Sequence, residues 1–456
     1  MKKILALTLC SVCSAFAAAQ SEYALEQLID SARHNNIAIR NAQHAIAAAQ
    51  QQRKEAFTKY FPNVSGTGVW FNANKGMAQT SLIPSETLSP EMGATLGQML
   101  PPEALAAMAS PISISMMKNG TIASLTAVQP VFAGGQIVYG NSLARVGEEV
   151  THLQLQLAEN EVEKTTEAYF WQMVSLQEKM KTIAAVEALL ADIHKDVDVA
   201  VRAGVAMRND LLQVQLRQNE VESQRLKLQN GMGIVRLLLA QYCGLKNEDF
   251  KVKGEDFSTA LPSGADSLPA ANGAPLPAQS SLLSLPEYQL LQKQVEATNL
   301  QHKMEIGKHL PSVAVGAGYN YHNLLDTNHT FGLLFATVSL PISDWWGGSN
   351  AIRRKKIEHQ KAIDEQNDKA ELLQIRMLNA WNSVVEARQQ LQIAQRSIEQ
   401  AEENLRLNRD YYRAGTSRMS DLLEAQMLYQ QALDSRTDAV AEYHNKVLEY
   451  RQATGQ

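Results

Sequence analysis

Beyond its first twenty positions the sequence holds no apolar run of about 18 residues, so none of its helices is expected to cross a bilayer. Any membrane insertion must then use β-strands closed into a barrel, the other structure that satisfies every backbone group in lipid. Cysteine is scarce. Cys10 and Cys13 lie in the N-terminal segment, and Cys243 stands alone on an apolar stretch. No intrachain disulfide is therefore expected, even in an oxidising compartment, and Cys243 reads as a buried small residue. A net charge of −5 on 456 residues is mild and excludes nucleic acid as a partner. No glycine-rich phosphate loop and no nucleophile–base spacing occurs, so no enzyme activity and no cofactor is expected. The ten histidines show no close ligand pair; His302 and His309 are seven apart, and no metal site is assigned.

The N-terminus reads as a secretory signal. Met1-Lys2-Lys3 is basic, Ile4 to Phe16 is apolar, and Ala17-Ala18-Ala19 supplies small residues before Gln20. Cleavage after about Ala19 is expected. Neither Cys10 nor Cys13 follows small residues at the end of the apolar run, so a lipoprotein is not indicated.

The remainder is a duplication. Val128-Gln129-Pro130-Val131 resembles Ser339-Leu340-Pro341-Ile342, and Arg202-Ala203-Gly204 returns as Arg413-Ala414-Gly415. Asn209-Asp210-Leu211-Leu212 returns as Ser420-Asp421-Leu422-Leu423, and Gly244 as Gly455. All four pairs are 211 residues apart. Upstream, Pro62 pairs with Pro311 at a shift of 249, so 249 − 211 = 38 residues are inserted between Pro62 and Pro130. After the signal at 1–19, the expected organisation is a first repeat at 20–250, a linker rich in Pro, Ser, Gly and Ala at 251–285, and a second repeat at 286–456.

Each repeat opens with a helix, Ser21 to about Lys59 with Ser21 as N-cap, and Pro286 to about His309. Short alternating runs follow the prolines. In Ser312 to Tyr321 the odd positions are Val, Val, Ala, Tyr, Tyr and the even ones small or polar. Phe331 to Leu340 supplies the returning strand, giving a hairpin over about 312–340. Asn63–Phe71 and Thr121–Val131 are the corresponding strands of repeat one. Aromatics sit at the strand ends: Trp70, Phe71, Phe132, Tyr319, Tyr321, Phe331, Trp345 and Trp346. A membrane barrel places them there, and a soluble sandwich uses the same alternation. Four strands cannot close a barrel, so a membrane reading requires several chains.

Long helices come next. Met377, Val384, Leu391, Ile398, Leu405 and Tyr412 recur every seven residues, with Ala380, Ala387, Ala394 and Ala401 between them. This is a coiled-coil stripe in which alanine permits close approach. Repeat one carries the stripe at Tyr169, Met173, Leu176, Met180, Ile183, Leu190, Val197 and Val201, interrupted by Glu187 and His194. Both helices stop at the repeated Arg-Ala-Gly, and a second helix opens with a capping residue and an acid. Hairpin tips are expected near 202–210 and 413–421.

The whole mature chain resembles the TolC-like outer-membrane efflux proteins. The likeness is carried by Tyr23 to Asn36, the helix-to-strand joints at Pro62 and Pro311, and Pro130 to Gly135 with Pro341 to Gly348. The two tip motifs, at 202–212 and 413–423, complete it. The resemblance implies a mostly α fold with a small β part: a duplicated long-helix α-barrel unit and two β-hairpins of a trimeric twelve-stranded outer-membrane barrel. It implies a homotrimer that crosses the periplasm and works with an inner-membrane pump and a periplasmic adaptor. The cargo would be drugs, other small molecules or a type I secretion cargo. Carried over by position, Asp210 and Tyr412 would help close the periplasmic entrance, and Asp421 with Glu424 would form a cation-attracting ring. Arg202, Gly204, Arg413 and Gly415 would mark the adaptor-docking tips. The family's gate arginine falls on Ser417, with Arg418 beside it. The plain alternative for Asp210 and Asp421 is helix N-terminal stabilisation.

Residues 72–120, which carry the insertion and six methionines, are expected as an extracellular loop. Arg353-Arg354-Lys355-Lys356 reads as a solvated helix face or a contact to anionic outer-membrane lipid. A coiled-coil scaffold without a pore is the competing function. It leaves unexplained why strands interrupt the helices twice at equivalent places.

Overall fold

The computed structural model describes residues 21–75, 78–82, 101, 103, 112–116, 118–246, 249–254, 279–324, 327–342 and 344–455. The segment expected as a signal, most of the expected 72–120 loop and most of the stretch expected as a linker lie outside these. The fold is mostly α with a small β part, as the sequence indicates.

Repeat one runs β1 (Ser21–Tyr23), α1 (Leu25–Asn35), α2 (Ile37–Thr58), β2 (Asn63–Asn72), β3 (Ala78–Leu82), β4 (Ile112–Met116), β5 (Asn119–Ala133), α3 (Gln136–Arg202), α4 (Arg208–Cys243) and β6 (Phe250–Val252). Repeat two runs α5 (Gln279–Ser284), α6 (Pro286–Lys308), β7 (Ser312–His322), β8 (His329–Ser339), α7 (Asp344–Arg413) and α8 (Met419–Thr454); α5 and the end of β6 fall within the 251–285 stretch expected as a linker. Helices α3 and α7 hold 67 and 70 residues, roughly 100 Å each at 1.5 Å per residue. The returning helices α4 and α8 hold 36 each.

The opening helix departs from expectation. Ser21 is not its cap: Ser21–Tyr23 is a strand pairing in parallel with Phe250–Val252. The helix starts after Ala24, whose N–H is held by the Gln27 side chain at 3.1 Å. It then breaks at Asn36, a buried residue whose Oδ1 accepts the Ala38 N–H at 2.8 Å while its Nδ2 donates to Tyr242 O at 3.1 Å. An asparagine that captures a backbone N–H two residues on competes with the helix and ends it. The second repeat breaks at the matching place, Leu285, since 36 + 249 = 285. Buried Leu285 separates α5 from α6.

The chain forms two compact units. The helical unit comprises residues 1–50, 146–296 and 360–456. Its largest core joins Leu28, Ala32, Phe170, Trp171, Met173, Val174, Leu239, Phe250 and Val440. A second core gathers Leu285, Met377, Trp381, Val384, Tyr443 and Tyr450. The heptad stripe is therefore real: Met377, Val384, Leu391, Met173, Ile183, Leu190 and Val197 are all buried. Further along α7 and α8, the small residues Ala394, Ser397, Ala401, Ala432, Ser435 and Ala439 leave an open groove of about 540 Å³ between the helices.

The second unit, residues 51–145 and 297–359, holds a four-stranded antiparallel sheet in the order β2-β5-β7-β8. The small antiparallel pair β3–β4 extends the β2–β5 hairpin sequence. At the sheet-to-helix joint, Gly134 has φ 60°, and a Cβ there would lie 2.0 Å from Gly307 O. Only glycine fits both this conformation and this approach.

Candidate functional site: a two-faced sheet and two hairpin tips

Register fixes which strand residues share a face, because directly opposed residues project to the same side. One face carries Val64, Gly66, Gly68 and Trp70 of β2, Ala123, Leu125, Ala127 and Phe132 of β5, and Val313, Val315, Ala317, Tyr319 and Tyr321 of β7. Leu334, Ala336 and Val338 of β8 complete it. The opposite face is mixed: it presents Asn63, Ser65, Thr67, Ser124, Thr126, Asn320, Thr337 and Ser339 together with glycines, Val69, Ile122, Val128, Leu333 and a few aromatics. Nearly all of β2 and β8 is exposed; Trp70 is 72% and Leu334 84% exposed. An apolar face of this extent needs a non-aqueous neighbour.

The aromatic residues lie in two bands. Trp70, Tyr319 and Tyr321 stand towards the hairpin end, level with Thr121 to Leu125 of β5. Phe132, with Phe57, Tyr60 and Phe61 at the α2–β2 joint, stands at the helical end; all four are exposed. Ala123 beside Tyr321 and Phe132 are 132 − 123 = 9 residues apart on β5. Nine residues span roughly 30 Å along a strand, which a tilt of ~40° shortens to ~23 Å, close to the ~25 Å apolar band of an outer-membrane barrel. A bulge between Pro130 and Phe132 breaks the β5–β7 register, where proline has no N–H to give. In the order of the four strands, β2 and β8 are the edges.

The tips are built alike. Gly204 has φ 73° and Gly415 φ 72°. Gly204 N donates to Val201 O and Val205 N to Ala200 O, both at 3.0 Å; Gly415 N and Thr416 N repeat this with Tyr412 O and Tyr411 O at 3.0 and 2.9 Å. This left-handed cap satisfies the last carbonyls of α3 and α7. Asp210 Oδ2 accepts the Met207 N–H at 3.2 Å, and Asp421 Oδ2 accepts the Arg418 N–H at 3.1 Å. Each acid therefore holds the first turn of its returning helix.

Beyond that shared role the residues differ. Asp210 is half-buried, and Tyr412 sits close enough that, after burial itself, the Asp210 charge is what pushes its phenol up. Tyr412 packs with Leu211, Leu405 and Leu423 against buried Ile193, Val197, Val214, Met419 and Leu422. Asp421, Glu424 and Arg418 are exposed. Arg202 pairs with Asp198 at 2.6 Å, and Arg413 is exposed. The structure thus brings Asp210 and Tyr412 together within one chain and leaves Arg418 and Glu424 at the surface. In the basic run, Lys355 and Arg354 reach Glu358 at 2.6 and 3.9 Å, forming ion pairs along the helix.

Sequence reading missed a buried polar network just above the tips. Arg217 of α4 donates from Nε to Gln426 Oε1 at 3.1 Å and from Nη2 to Gln430 Oε1 at 2.9 Å, both on α8. Its Nη1 donates to Glu220 at 3.0 Å, and Gln430 Nε2 continues to Gln224 at 2.9 Å. One arginine in a Gln-rich helix gave no signal, because its counterpart in repeat two is Leu428.

Known proteins agree with this architecture. The family described as outer membrane efflux protein matches residues 278–456. The outer membrane protein VceC from Vibrio cholerae superposes with a TM-score of 0.71 at 14% identity, covering 94% of this chain and 96% of that one. The Campylobacter jejuni CmeC outer membrane channel gives 0.72 at 14% over 94% and 85% of the two chains. The open state of the Neisseria gonorrhoeae MtrE outer membrane channel gives 0.70 at 14% over 94% and 88%. No curated protein matches the sequence. The likeness first read from the motifs is therefore met by a family-model match over residues 278–456 and by a shared fold over nearly the whole chain.

Proposed function

From an outer membrane efflux protein domain at residues 278–456 on a chain with the fold of outer-membrane efflux channels, we propose that this protein is the exit duct of a tripartite efflux system. One observation carries the reading: a four-stranded antiparallel sheet with one continuous apolar face and two unpaired edges, in a chain whose helices form two hairpins. Lipid covers the apolar face, and strands of neighbouring copies cover the edges, because an open sheet edge is not tolerated in a bilayer. Three copies supply twelve strands, an even number within the range of known outer-membrane barrels.

In this homotrimer the helices line a periplasmic tunnel and the tips form its narrow end. Three Asp421 and three Glu424 carboxylates around one axis attract cations. Asp210 beside Tyr412 helps hold the entrance, with Ser417 where the family's arginine stands and Arg418 exposed next to it. Arg202, Gly204, Arg413 and Gly415 lie at the turns that a periplasmic adaptor docks on, and an inner-membrane pump supplies the energy. The cargo is small molecules or a type I secretion substrate.

Planar-bilayer recording on the detergent-purified protein tests this. Discrete cation-selective channels are expected, with selectivity reduced in the Asp421→Ala, Glu424→Ala double variant. A protein that stays in the aqueous phase and gives no channels overturns the reading. Unchanged selectivity in the double variant removes these two residues from the pore.

A further inference from the structure

We propose that the β7–β8 hairpin carries a two-histidine site for a borderline divalent metal ion such as Cu²⁺, Ni²⁺ or Zn²⁺, formed by His322 and His329. The two are the last paired residues of the hairpin, directly opposed across the strands. Opposed residues share a face, and this face carries Asn320, Ser124 and Thr126 beside the apolar Ile122 and Phe331. Their ring centroids are 5.5 Å apart, with the planes at 67°. Two imidazoles on one metal at M–N distances of about 2.0–2.1 Å hold their centroids roughly 5 Å apart, so small rotations of the side chains suffice.

The surroundings also point to a ligand. His322 Nδ1 is buried and has no hydrogen-bond partner, an unfavourable state for a buried polar atom. A bound cation engages that lone pair. Phe331 packs against His322 at 6.2 Å between centroids, and Ile122 of β5 lies opposite His322 on its other side; these apolar walls fix the ring and lower the local dielectric. His329 is exposed, so an ion can arrive from solvent, and water completes the coordination. Imidazole suits Cu, Ni and Zn and discriminates against Mg²⁺ and Ca²⁺, which take oxygen ligands.

The site is complete within one chain and does not depend on the duct reading. It escaped the sequence because seven residues separate the two histidines, a spacing that becomes a contact only once the hairpin register is known. Within the barrel proposed above, three copies would place three such sites around the mouth.

The test is Cu²⁺ titration of the detergent-solubilised, chelator-treated full chain, followed by isothermal calorimetry and by electron paramagnetic resonance for nitrogen couplings. The expected result is one tight ion per chain with two nitrogen ligands. His329→Gln and His322→Asn should each weaken binding at least about tenfold, and the double variant should do little worse than either single. Mg²⁺ should not compete. His329→Gln lies at an exposed position, and circular dichroism confirms that its fold is kept. Equal affinity in the wild type and in a folded His329→Gln protein overturns the proposal. A signal with no imidazole nitrogen overturns it equally.

Discussion

At the first tip Gly204 turns with φ 73° and at the second Gly415 with φ 72°, and an aspartate three residues past each cap bonds the cap's N–H. The side chains around these backbones share little. Val205 and Met207 of the first tip are 80% and 74% exposed, where the second carries Thr416 and Arg418. Asp210 lies half-buried beside Tyr412, while its counterpart Asp421 faces solvent. Duplication preserved what the chain needs to turn, and freed the side chains for separate roles. An oligomer of two-repeat chains therefore has two kinds of tip, one apolar and one polar, to offer a partner.

The same contrast applies at the sheet-to-helix joints and suggests where to break it hardest. Gly134 of repeat one touches Gly307 so closely that neither position admits a Cβ without a clash near 2 Å. Gly307 lies in α6, so the contact joins the two repeats, and the 211-residue counterpart of Gly134 is Trp345. Gly134→Ala combines left-handed strain with overpacking and should cost about 3 kcal/mol or more. Gly307→Ala should be nearly as severe although alanine favours a helix. Thermal unfolding in detergent checks both; a Gly134→Ala protein as stable as the parent would remove the close approach from the account.

Next in size is the network at Arg217. Arg217→Leu leaves Gln426 and Gln430 without their buried donor, a loss of about 3 kcal/mol at 1–3 kcal/mol per unmet group. The matching change in repeat two, Leu428→Ala at an exposed site, should stay within about 0.5 kcal/mol. If the two variants unfold at equal temperatures, the asymmetry between α4 and α8 is not energetic.

A third difference responds to pH. His444 stacks on Trp171 at 3.7 Å, and its counterpart in repeat one is Gly233. Burial, helped by Arg451, holds the His444 imidazole down at about 4. Above pH ~6.5 it is neutral in both folded and unfolded chains and has no effect. As pH falls from ~6.5 towards 4 the unfolded chain takes up a proton that the folded one refuses, so stability drops, by up to about 3 kcal/mol, and then levels off. Glu167, which bonds Trp171 and is pushed up chiefly by burial, acts in the opposite sense. The difference between wild type and His444→Gln isolates the histidine: the variant should lose less stability between pH 7 and 4. Parallel curves would exclude it.

Most of this architecture is legible in the sequence because it is periodic. Heptads disclosed α3 and α7, alternation disclosed β7, and the glycine–aspartate spacing disclosed both tips. What stayed hidden depends on contacts distant in the chain. Ser21 looks like a helix cap until Phe250–Val252 supplies a strand for it to pair with. Asn36 sits in a helical pattern, and only the Tyr242 carbonyl makes its side chain end the helix. His322 and His329 have no sequence signature before the hairpin register is known. For the tip residues, position in the fold was readable, but burial was not: nothing in Asn209-Asp210-Leu211 against Ser420-Asp421-Leu422 says which acid faces solvent.

That last distinction yields the smallest and most informative experiment. Asp210→Asn and Asp421→Asn remove a charge from equivalent first turns and weaken equivalent N–H···O bonds. Each should therefore lower stability by a similar amount, about 0.5–1 kcal/mol. Their effects on conduction should part. Asp421 is exposed, and in the proposed trimer its neutralisation removes three charges from the pore axis and lowers cation selectivity. Asp210 is half-buried against Tyr412, so its neutralisation should leave selectivity largely intact. It should instead ease the Tyr412 phenol downward, since the neighbouring charge adds to burial in raising it, a change that ultraviolet titration of a Tyr412-dependent signal would read. Were Asp210→Asn the variant that altered selectivity, the acid that faces the ion path would belong to repeat one, and the division of roles between the tips would have to be reversed.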